Sequence, residues 1–144
     1  MRKAVLSLLV ILLGLSLSGC LESFDPEAEE HFWQGIDFIR EGKNDLAMDE
    51  FTRAIEIDPG YYYAYYNRAR VYYEGGELES SIAEYSKAID LNPDNVYWTI
   101  ERGLIYLELG EREKAILDLE RSQELGIPPE YKQRVEEVLD QLSP

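Results

Sequence analysis

The hydrophobic pattern divides the chain into an uncharged N-terminal run and a longer region of helical periodicity. Residues 4–18 carry no charge, whereas from residue 27 onward apolar positions recur every three or four residues, a spacing that places them on one face of a helix. Glycine and proline interrupt this region at regular intervals, because glycine readily ends a helix and proline cannot continue one. The pattern predicts seven helices, near residues 27–41, 45–57, 61–74, 79–91, 95–109, 113–125 and 130–142.

The first and last of these helices have recognisable ends. The first begins at Asp25-Pro26-Glu27, which supplies an N-cap, a proline at the first helical position and an acidic first turn. The last helix has one apolar face, formed by Tyr131, Val135, Val138, Leu139 and Leu142. We expect this face to cover the otherwise exposed side of the preceding helices.

The periodic region repeats itself every 34 residues. Small residues, large apolar residues and turn glycines recur in register, and proline closes the first two units. The matching columns are Gly35/Ala69/Gly103, Phe38/Tyr72/Tyr106, Gly42/Gly76/Gly110, Ala47/Ser81/Ala115, Phe51/Tyr85/Leu119, Ala54/Ala88/Ser122 and Pro59/Pro93. Each small residue allows a second helix to approach closely, and each large one fills the space a turn later.

This pattern resembles the tetratricopeptide repeat. The resemblance implies an all-α fold for residues 27–144: a right-handed α-solenoid of three helix pairs, at residues 28–61, 62–95 and 96–129, with a capping helix at 130–142. Two columns depart from the family pattern: His31, Tyr65 and Thr99 stand where the family has Trp, and Gln34, Arg68 and Arg102 where it has Leu. These departures leave the detailed helix packing open.

The N-terminal run has the organisation of a secretory signal: Arg2 and Lys3, an apolar stretch, and a small residue before Cys20. Leu17-Ser18-Gly19-Cys20 resembles the bacterial lipobox, which implies a signal peptide at 1–19, lipidation of Cys20 and a short tether at 20–26. An uncleaved membrane anchor is the alternative, since the run approaches the about 20 apolar residues that span a bilayer. Both place the domain outside the cytoplasm, anchored in the cell envelope. Leu21 after the cysteine favours the outer membrane if the host has two.

Charge and composition exclude several functions. Cleavage before Cys20 removes two of 14 basic residues and leaves 29 acidic ones, a formal charge of 12 − 29 = −17, which opposes binding to nucleic acid and to anionic lipid. His31 is the only histidine and Cys20 the only cysteine, so no zinc site or intrachain disulfide is expected. Residues 90–101 resemble a calcium loop, but Asn95 replaces its glycine and the repeat explains the same letters. We expect no enzyme activity, cofactor or metal.

In proteins with such repeats the first helix of each unit lines a concave groove that binds a partner segment. The neighbouring stripe on these helices is aromatic and aliphatic, unlike a solvated face. Its candidate binding residues are Phe32, Trp33, Ile36, Tyr63, Tyr66, Asn67, Arg70, Tyr73, Tyr97, Ile100 and Leu104. Asn67 matches the central asparagine of the family's carboxylate clamp, but Phe32, Ile36, Tyr97 and Glu101 replace its other members, so capture of a C-terminal carboxylate is not expected.

These features predict a membrane-tethered adaptor or scaffold whose groove docks an apolar or aromatic segment of an envelope protein. Two other functions stay open: binding of cell-wall glycan to exposed aromatic rings, and self-association that buries the stripes of two chains. The N-terminal segment could also occupy the groove. The partner and the pathway are not encoded in the residues.

Overall fold

The computed structural model describes residues 23–142 as an array of antiparallel helices. Each helix packs against the next one in the chain, which is the arrangement of an α-solenoid. Every boundary lies within one residue of its predicted position. The helices are α1 Pro26–Arg40, α2 Asn44–Ile57, α3 Tyr62–Glu74, α4 Leu78–Leu91, α5 Val96–Glu108, α6 Arg112–Leu125 and α7 Pro129–Leu142.

The helix ends use the residues that the sequence indicated. The Asp25 carboxylate accepts a hydrogen bond from the backbone N–H of Glu27, and the Asn95 side chain accepts one from that of Trp98. Gly42, Gly76 and Gly110 follow the first helix of each unit with φ of 73°, 78° and 77°, the left-handed conformation that glycine adopts without steric cost. Asn95 therefore acts as the N-cap of α5.

Paired helices approach most closely at the small-residue column. A Cβ atom added to Gly35 would lie 2.5 Å from Cε1 of Phe51, and one added to Gly103 would lie 3.1 Å from Leu119 Cδ2. Phe51 and Leu119 are themselves fully buried on the second helices. The large residue of the second helix therefore fills the space that the small residue of the first leaves empty.

The core consists of clusters that extend from one unit into the next. Phe51, Ala54 and Tyr61 belong to the first cluster, and Tyr62 and Trp98 to the second. Val135 of α7 joins Ile100 and Leu119 in the third, with Tyr131, Val138 and Leu139 packed against it. The predicted apolar face of the last helix thus covers the third unit.

The arginine column that departs from the family pattern forms a ladder between units. Arg68 donates to both carboxylate oxygens of Glu84, at 2.9 and 2.7 Å, and to the Thr52 hydroxyl of the preceding unit, at 3.2 Å. Each partner lies sixteen residues away. The guanidinium therefore ties the second helix of its own unit to the second helix of the unit before.

The next unit repeats this arrangement. Arg102 donates to both oxygens of Asp118 at 2.7 Å and to the Ser86 hydroxyl at 2.8 Å. The first unit has Gln34 in this column, and its Glu50 carboxylate lies 2.6 Å from Nδ1 of His31 instead. These contacts settle the helix packing that the sequence left open.

Substitution of Gly35 tests the close approach of α1 and α2. Alanine favours helix by about 1 kcal/mol over glycine, but its methyl group would overlap the buried Phe51 ring, and overpacking costs about 1–3 kcal/mol. Because the 2.5 Å overlap places the cost in the upper part of that range, about 2–3 kcal/mol, we expect Gly35→Ala to lower the free energy of unfolding by a net of about 1–2 kcal/mol in urea denaturation. Gly75→Ala, whose added Cβ has contacts of 3.5 Å, should be neutral or slightly stabilising. A Gly35→Ala chain as stable as the unsubstituted one contradicts this account.

Substitution of Arg68 tests the ladder. Arg68→Ala leaves the carboxylate of Glu84, whose side chain is 15% exposed, without its guanidinium, and breaking such a pair costs about 3 kcal/mol. Arg121 forms a similar pair with Glu124 at the surface, with side chains 50% and 68% exposed, so Arg121→Ala should cost under about 1 kcal/mol. The free energies of unfolding are measured by urea denaturation. If the two substitutions lower them equally, the ladder stabilises the fold no more than an ordinary surface ion pair does.

Candidate functional site: an aromatic groove

The large exposed apolar side chains divide by chemical type between the two helices of each unit. Within residues 23–142, those on the first helices are aromatic and those on the second helices are leucines. The aromatic set is Trp33, Tyr63, Tyr73 and Tyr97, and the leucine set is Leu46, Leu91 and Leu117. All four aromatic residues belong to the predicted groove stripe, so this face of the first helices is accessible and aromatic.

The predicted groove residues differ in their exposure. Arg70 is exposed like the four aromatic residues, Ile36, Tyr66 and Leu104 are half-buried, and Phe32, Asn67 and Ile100 are buried. Ile100 is fully buried in the third core cluster, so its prediction as a groove residue was wrong. Leu119 of α6 and Val135 of α7 belong to the same cluster, so Ile100 faces the core of the third unit and not the groove. Cys20 lies outside the described residues.

Phe32 and Asn67 were also predicted as groove residues, but neither side chain is directly accessible to a partner. The Phe32 ring is 7% exposed and packs at 5.1 Å from both Trp33 and Tyr61. Asn67 donates from its side-chain amide to the Tyr63 carbonyl oxygen at 2.8 Å. Phe32 therefore supports the groove from below, and the Asn67 amide is engaged within its own helix.

A pocket of about 600 Å³ opens at the N-terminal end of this face. Its walls come from α1, from the start of the second unit and from the residues before α1. The lining residues are Ser23, Phe24, Glu29, Phe32, Trp33, Tyr61 and Tyr63. We call this the N-terminal pocket.

Phe24 belongs to the folded domain, although the sequence placed it in the tether. Its ring meets Tyr61 and Tyr62 edge-on, with centroids 4.3 and 5.1 Å apart, and the backbone N–H of Asp25 donates to the Asp58 carboxylate at 3.2 Å. Phe24 and Asp25 therefore belong to the fold, and Phe24 lines one wall of the N-terminal pocket. An isolated aromatic residue in the polar stretch was the available signal.

A second pocket, of about 300 Å³, lies at the C-terminal end and is enclosed by α7. Its lining combines aromatic rings with both signs of charge. The residues are Arg70, Tyr73, Glu74, Tyr85, Glu101, Leu104, Ile105, Tyr131 and Arg134. Sequence reasoning missed Arg134 and assigned Tyr85 and Tyr131 only to packing, because it treated α7 as a cap and not as a groove wall. We call this the C-terminal pocket.

Aromatic donors of the groove are hydrogen-bonded to carboxylates. Trp33 Nε1 donates to Glu29 at 3.4 Å, Tyr97 to Glu130 at 3.3 Å and Tyr73 to Glu108 at 3.2 Å. The shortest such bond, 2.6 Å, joins the buried Tyr85 hydroxyl to Glu101 on the floor of the C-terminal pocket. The groove therefore offers a partner the faces of aromatic rings and the remaining acceptor sites of carboxylates.

Burial and these carboxylates keep the tyrosine hydroxyls protonated. Burial, followed by the charge of Glu29, raises the pKa of Tyr61 to about 12. Burial, followed by Glu101, raises the pKa of Tyr85 far above its ordinary value, and the pKa of Tyr66 rises for the same two reasons. Near neutral pH these side chains are uncharged hydrogen-bond donors.

Within the described range, 23–142, no group of three or more His, Cys, Asp or Glu residues is placed to hold a metal ion. The groove carboxylates accept hydrogen bonds from aromatic side chains, and Tyr66 stacks on Trp98 with centroids 5.5 Å apart. In this same range, no helix has the length and apolarity needed to cross a bilayer. The fold and the groove together define a helical-repeat protein with an open concave surface.

Comparison with protein families identifies the repeat. Family models described as TPR repeat or tetratricopeptide repeat match residues 50–83, 69–110 and 100–125. The chain therefore contains tetratricopeptide repeats, as its 34-residue period indicated. Comparison with curated proteins gives no match.

Solved structures with the same fold include peptide complexes. The first TPR domain of Spaghetti (RPAP3), bound to the HSP90 peptide SRMEEVD, has a TM-score of 0.73 and 24% identity over 85% of this chain and 98% of that one. The type III secretion chaperone SycD of Yersinia enterocolitica, with a peptide of the translocator YopD, has a TM-score of 0.73 and 20% identity over 85% and 96%. Domain TPR2B of yeast Sti1, in a complex with pHsp70, has a TM-score of 0.71 and 19% identity over 82% of this chain and 97% of that one. These likenesses establish the fold of this chain.

Proposed function

We propose that this protein is a membrane-tethered adaptor of the bacterial cell envelope whose concave groove docks a segment of a partner protein. The observation that carries the proposal is the chemical division of the exposed apolar residues. Aromatic rings face the groove from the first helices, whereas the second helices expose only leucines among the large apolar residues of 23–142. Tyr and Trp are the side chains in which interface energy concentrates.

The chemistry of the groove favours a segment with apolar or aromatic side chains. Trp33, Tyr63 and Tyr97 are 53%, 41% and 44% exposed, so each presents a rigid ring whose burial costs little conformational entropy. Arg70 lies at the rim with its guanidinium 5.9 Å from the Tyr66 ring and supplies a fixed donor group for orientation. The structural neighbours with bound peptides support this mode of recognition.

The groove lacks the side chains with which the family's carboxylate clamp holds a free C-terminal carboxylate. Such a clamp needs cations and free amides, but Glu101 is anionic and hydrogen-bonded to Tyr85, and the amide of Asn67 is engaged. The proposed segment is therefore internal to the partner, or is bound through side chains.

Membrane tethering rests on the sequence around Cys20. The described fold begins at Ser23, three residues after that cysteine, and three residues span at most about 10 Å. A lipidated Cys20 would hold the N-terminal pocket close to the bilayer, where a membrane-associated partner is within reach. Acylation by more than one chain is what makes such anchoring stable.

Substitution of Cys20 tests the tether. In a bacterial host fed a clickable fatty acid, we expect the unsubstituted chain to be labelled and to sediment with membranes. Cys20→Ala should abolish the label while the folded domain keeps its melting temperature, because Cys20 precedes the described fold. Ser18→Ala, beside the cleavage site, is the control and should retain the label. Labelling of the Cys20→Ala chain would refute lipidation at this residue.

Photo-crosslinking tests the groove. A photoreactive amino acid at Tyr97 should form a discrete adduct in solubilised envelope, whereas the same amino acid at the exposed Leu117 of α6 should not. Tyr97→Ala should weaken capture of the adduct's protein at least tenfold, whereas Leu117→Ala should leave it unchanged, and both chains should melt within about 2 °C of the parent.

Other outcomes separate the competing functions. An adduct whose protein is a second copy of this chain supports self-association, and retention on purified cell-wall material without protein supports glycan binding. Equal adducts from Tyr97 and Leu117 would refute a role for the groove.

A further inference from the structure

The N-terminal pocket has the composition of an aromatic cage. Five rings surround it together with the Glu29 carboxylate. They belong to Phe24, Phe32, Trp33, Tyr61 and Tyr63. We use the term aromatic cage for these five residues and Glu29.

The rings of the cage face different directions around one space. Phe32 lies 5.1 Å from Trp33 at an interplanar angle of 69° and 6.3 Å from Tyr63 at 41°. Phe24 closes the other side, 6.0 Å from Tyr63 at 74°. Phe32 and Tyr61 are buried and form the floor of this space, so the exposed rings of Trp33 and Tyr63 supply its accessible π surface.

The electrostatics of the cage are those of a cation site. Each ring face carries negative potential, and tryptophan attracts cations most strongly. Glu29 adds a formal negative charge 3.4 Å from the Trp33 ring nitrogen, and among residues 23–142 no Lys, Arg or His lines the pocket. The C-terminal pocket differs, because Arg70 and Arg134 line it.

The molecule uses cation–π contacts elsewhere but not in the cage. Within residues 23–142, Lys43 lies 5.8 Å from the Phe38 ring, and Arg68 and Arg102 lie near Tyr65 and Tyr106 at 5.8 and 5.9 Å. In that range no cation stands over a cage ring, although Trp33 and Tyr63 are half exposed. The cage thus has open π faces and a carboxylate but no internal cation.

We propose that the aromatic cage binds the ammonium or guanidinium group of a Lys or Arg side chain in the partner segment. This inference rests on the proposed peptide-binding function and names the chemistry that the groove selects. The acidic surface, with a formal net charge of −15 over the whole sequence, attracts such a segment at long range. An acidic side chain would be repelled by Glu29, and its acceptor oxygens would find the Trp33 N–H already engaged.

The two ends of the groove then fix the direction of the partner. The C-terminal pocket carries Arg70 and Arg134 beside Glu74 and Glu101, so its charges offset one another, whereas the cage has only the negative charge of Glu29. A basic side chain of the partner is therefore favoured at the cage over the opposite end, where two guanidinium groups would repel it. This difference places the segment in one orientation along the three units.

The test uses capped pentapeptides, acetyl-Gly-Gly-X-Gly-Gly-amide, in which X is lysine, arginine, norleucine or glutamate. The whole purified chain carries 5-fluorotryptophan, so that Trp33 and Trp98 give separate ¹⁹F signals. We expect the lysine and arginine peptides to shift the Trp33 signal with at least threefold tighter binding than norleucine, and glutamate to bind more weakly still. Trp98 is buried, 3% exposed, but contacts the cage ring of Tyr63 at a centroid distance of 6.1 Å, so its signal should shift less than that of Trp33.

Matched variants assign the effect to the cage. Glu29→Gln and Tyr63→Ala should remove the preference of lysine over norleucine, whereas Leu117→Ala, an exposed position on α6 outside the groove, should keep it. Each variant is accepted only with an unchanged thermal melt. Equal binding of lysine and norleucine to the unsubstituted chain overturns the proposal.

Failure of the cage proposal can be distinguished from failure of the proposed adaptor function. A groove adduct at Tyr97 that survives Glu29→Gln and Tyr63→Ala unweakened would retain the adaptor function and reject the cage as part of it. A lipid headgroup is the competing ligand. If choline binds more tightly than the lysine peptide, and if phosphatidylcholine vesicles retain the unsubstituted protein more strongly than they retain the Glu29→Gln variant, the cage binds a lipid headgroup. That result would overturn the proposal of a peptide side chain.

Discussion

The close approach of paired helices at the small-residue column is the constraint on which the rest of the structure depends. With no Cβ at Gly35 or Gly103, the buried Phe51 and Leu119 of the second helices reach the backbone of the first. Because the second helix fills this side completely, the opposite face of the first helix is left without a partner in its own unit. The groove is therefore a consequence of how the units are packed, and its aromatic residues occupy positions that the core does not use.

Charged side chains then fix how one unit sits on the next. Arg68 and Arg102 each bind a carboxylate of their own unit and a hydroxyl of the preceding one. A planar guanidinium with several donors at fixed angles permits this geometry, whereas lysine, a single point charge, would not. The relative placement of the units determines the distance between aromatic rings that neighbouring first helices contribute. The ladder thus links the register of the solenoid to the spacing of the groove.

The fold could be predicted from the sequence because its signals are local and repeat. Turn glycines, capping residues and the 34-residue period determine helix ends, and all helix boundaries agree within one residue. The site was less predictable, because burial of a groove position depends on the next element in space. Ile100 continues the groove stripe by spacing, yet it is buried in one core cluster with Leu119 and Val135, and Tyr61 and Tyr62, at the junction of the first two units, are 2% and 5% exposed. The ring of Phe24 packs on Tyr61 and the ring of Trp98 packs on Tyr62, which explains why both tyrosines are buried. The hydrophobic periodicity of the sequence shows neither contact.

Tyrosine has two functions in this molecule, which explains why so many occur near the groove. The Tyr85 ring fills the core column that Phe51 and Leu119 occupy in the other units, while its hydroxyl reaches Glu101 on α5. A phenylalanine or leucine would fill the same space but leave that carboxylate free to move or to pair with a partner's cation. Because the bond fixes Glu101 at the position where a carboxylate clamp would need a cation, the negative charge in the centre of the groove is held by the core itself. Selection against acidic ligands in this region is therefore built into the packing and does not rely on mobile surface residues.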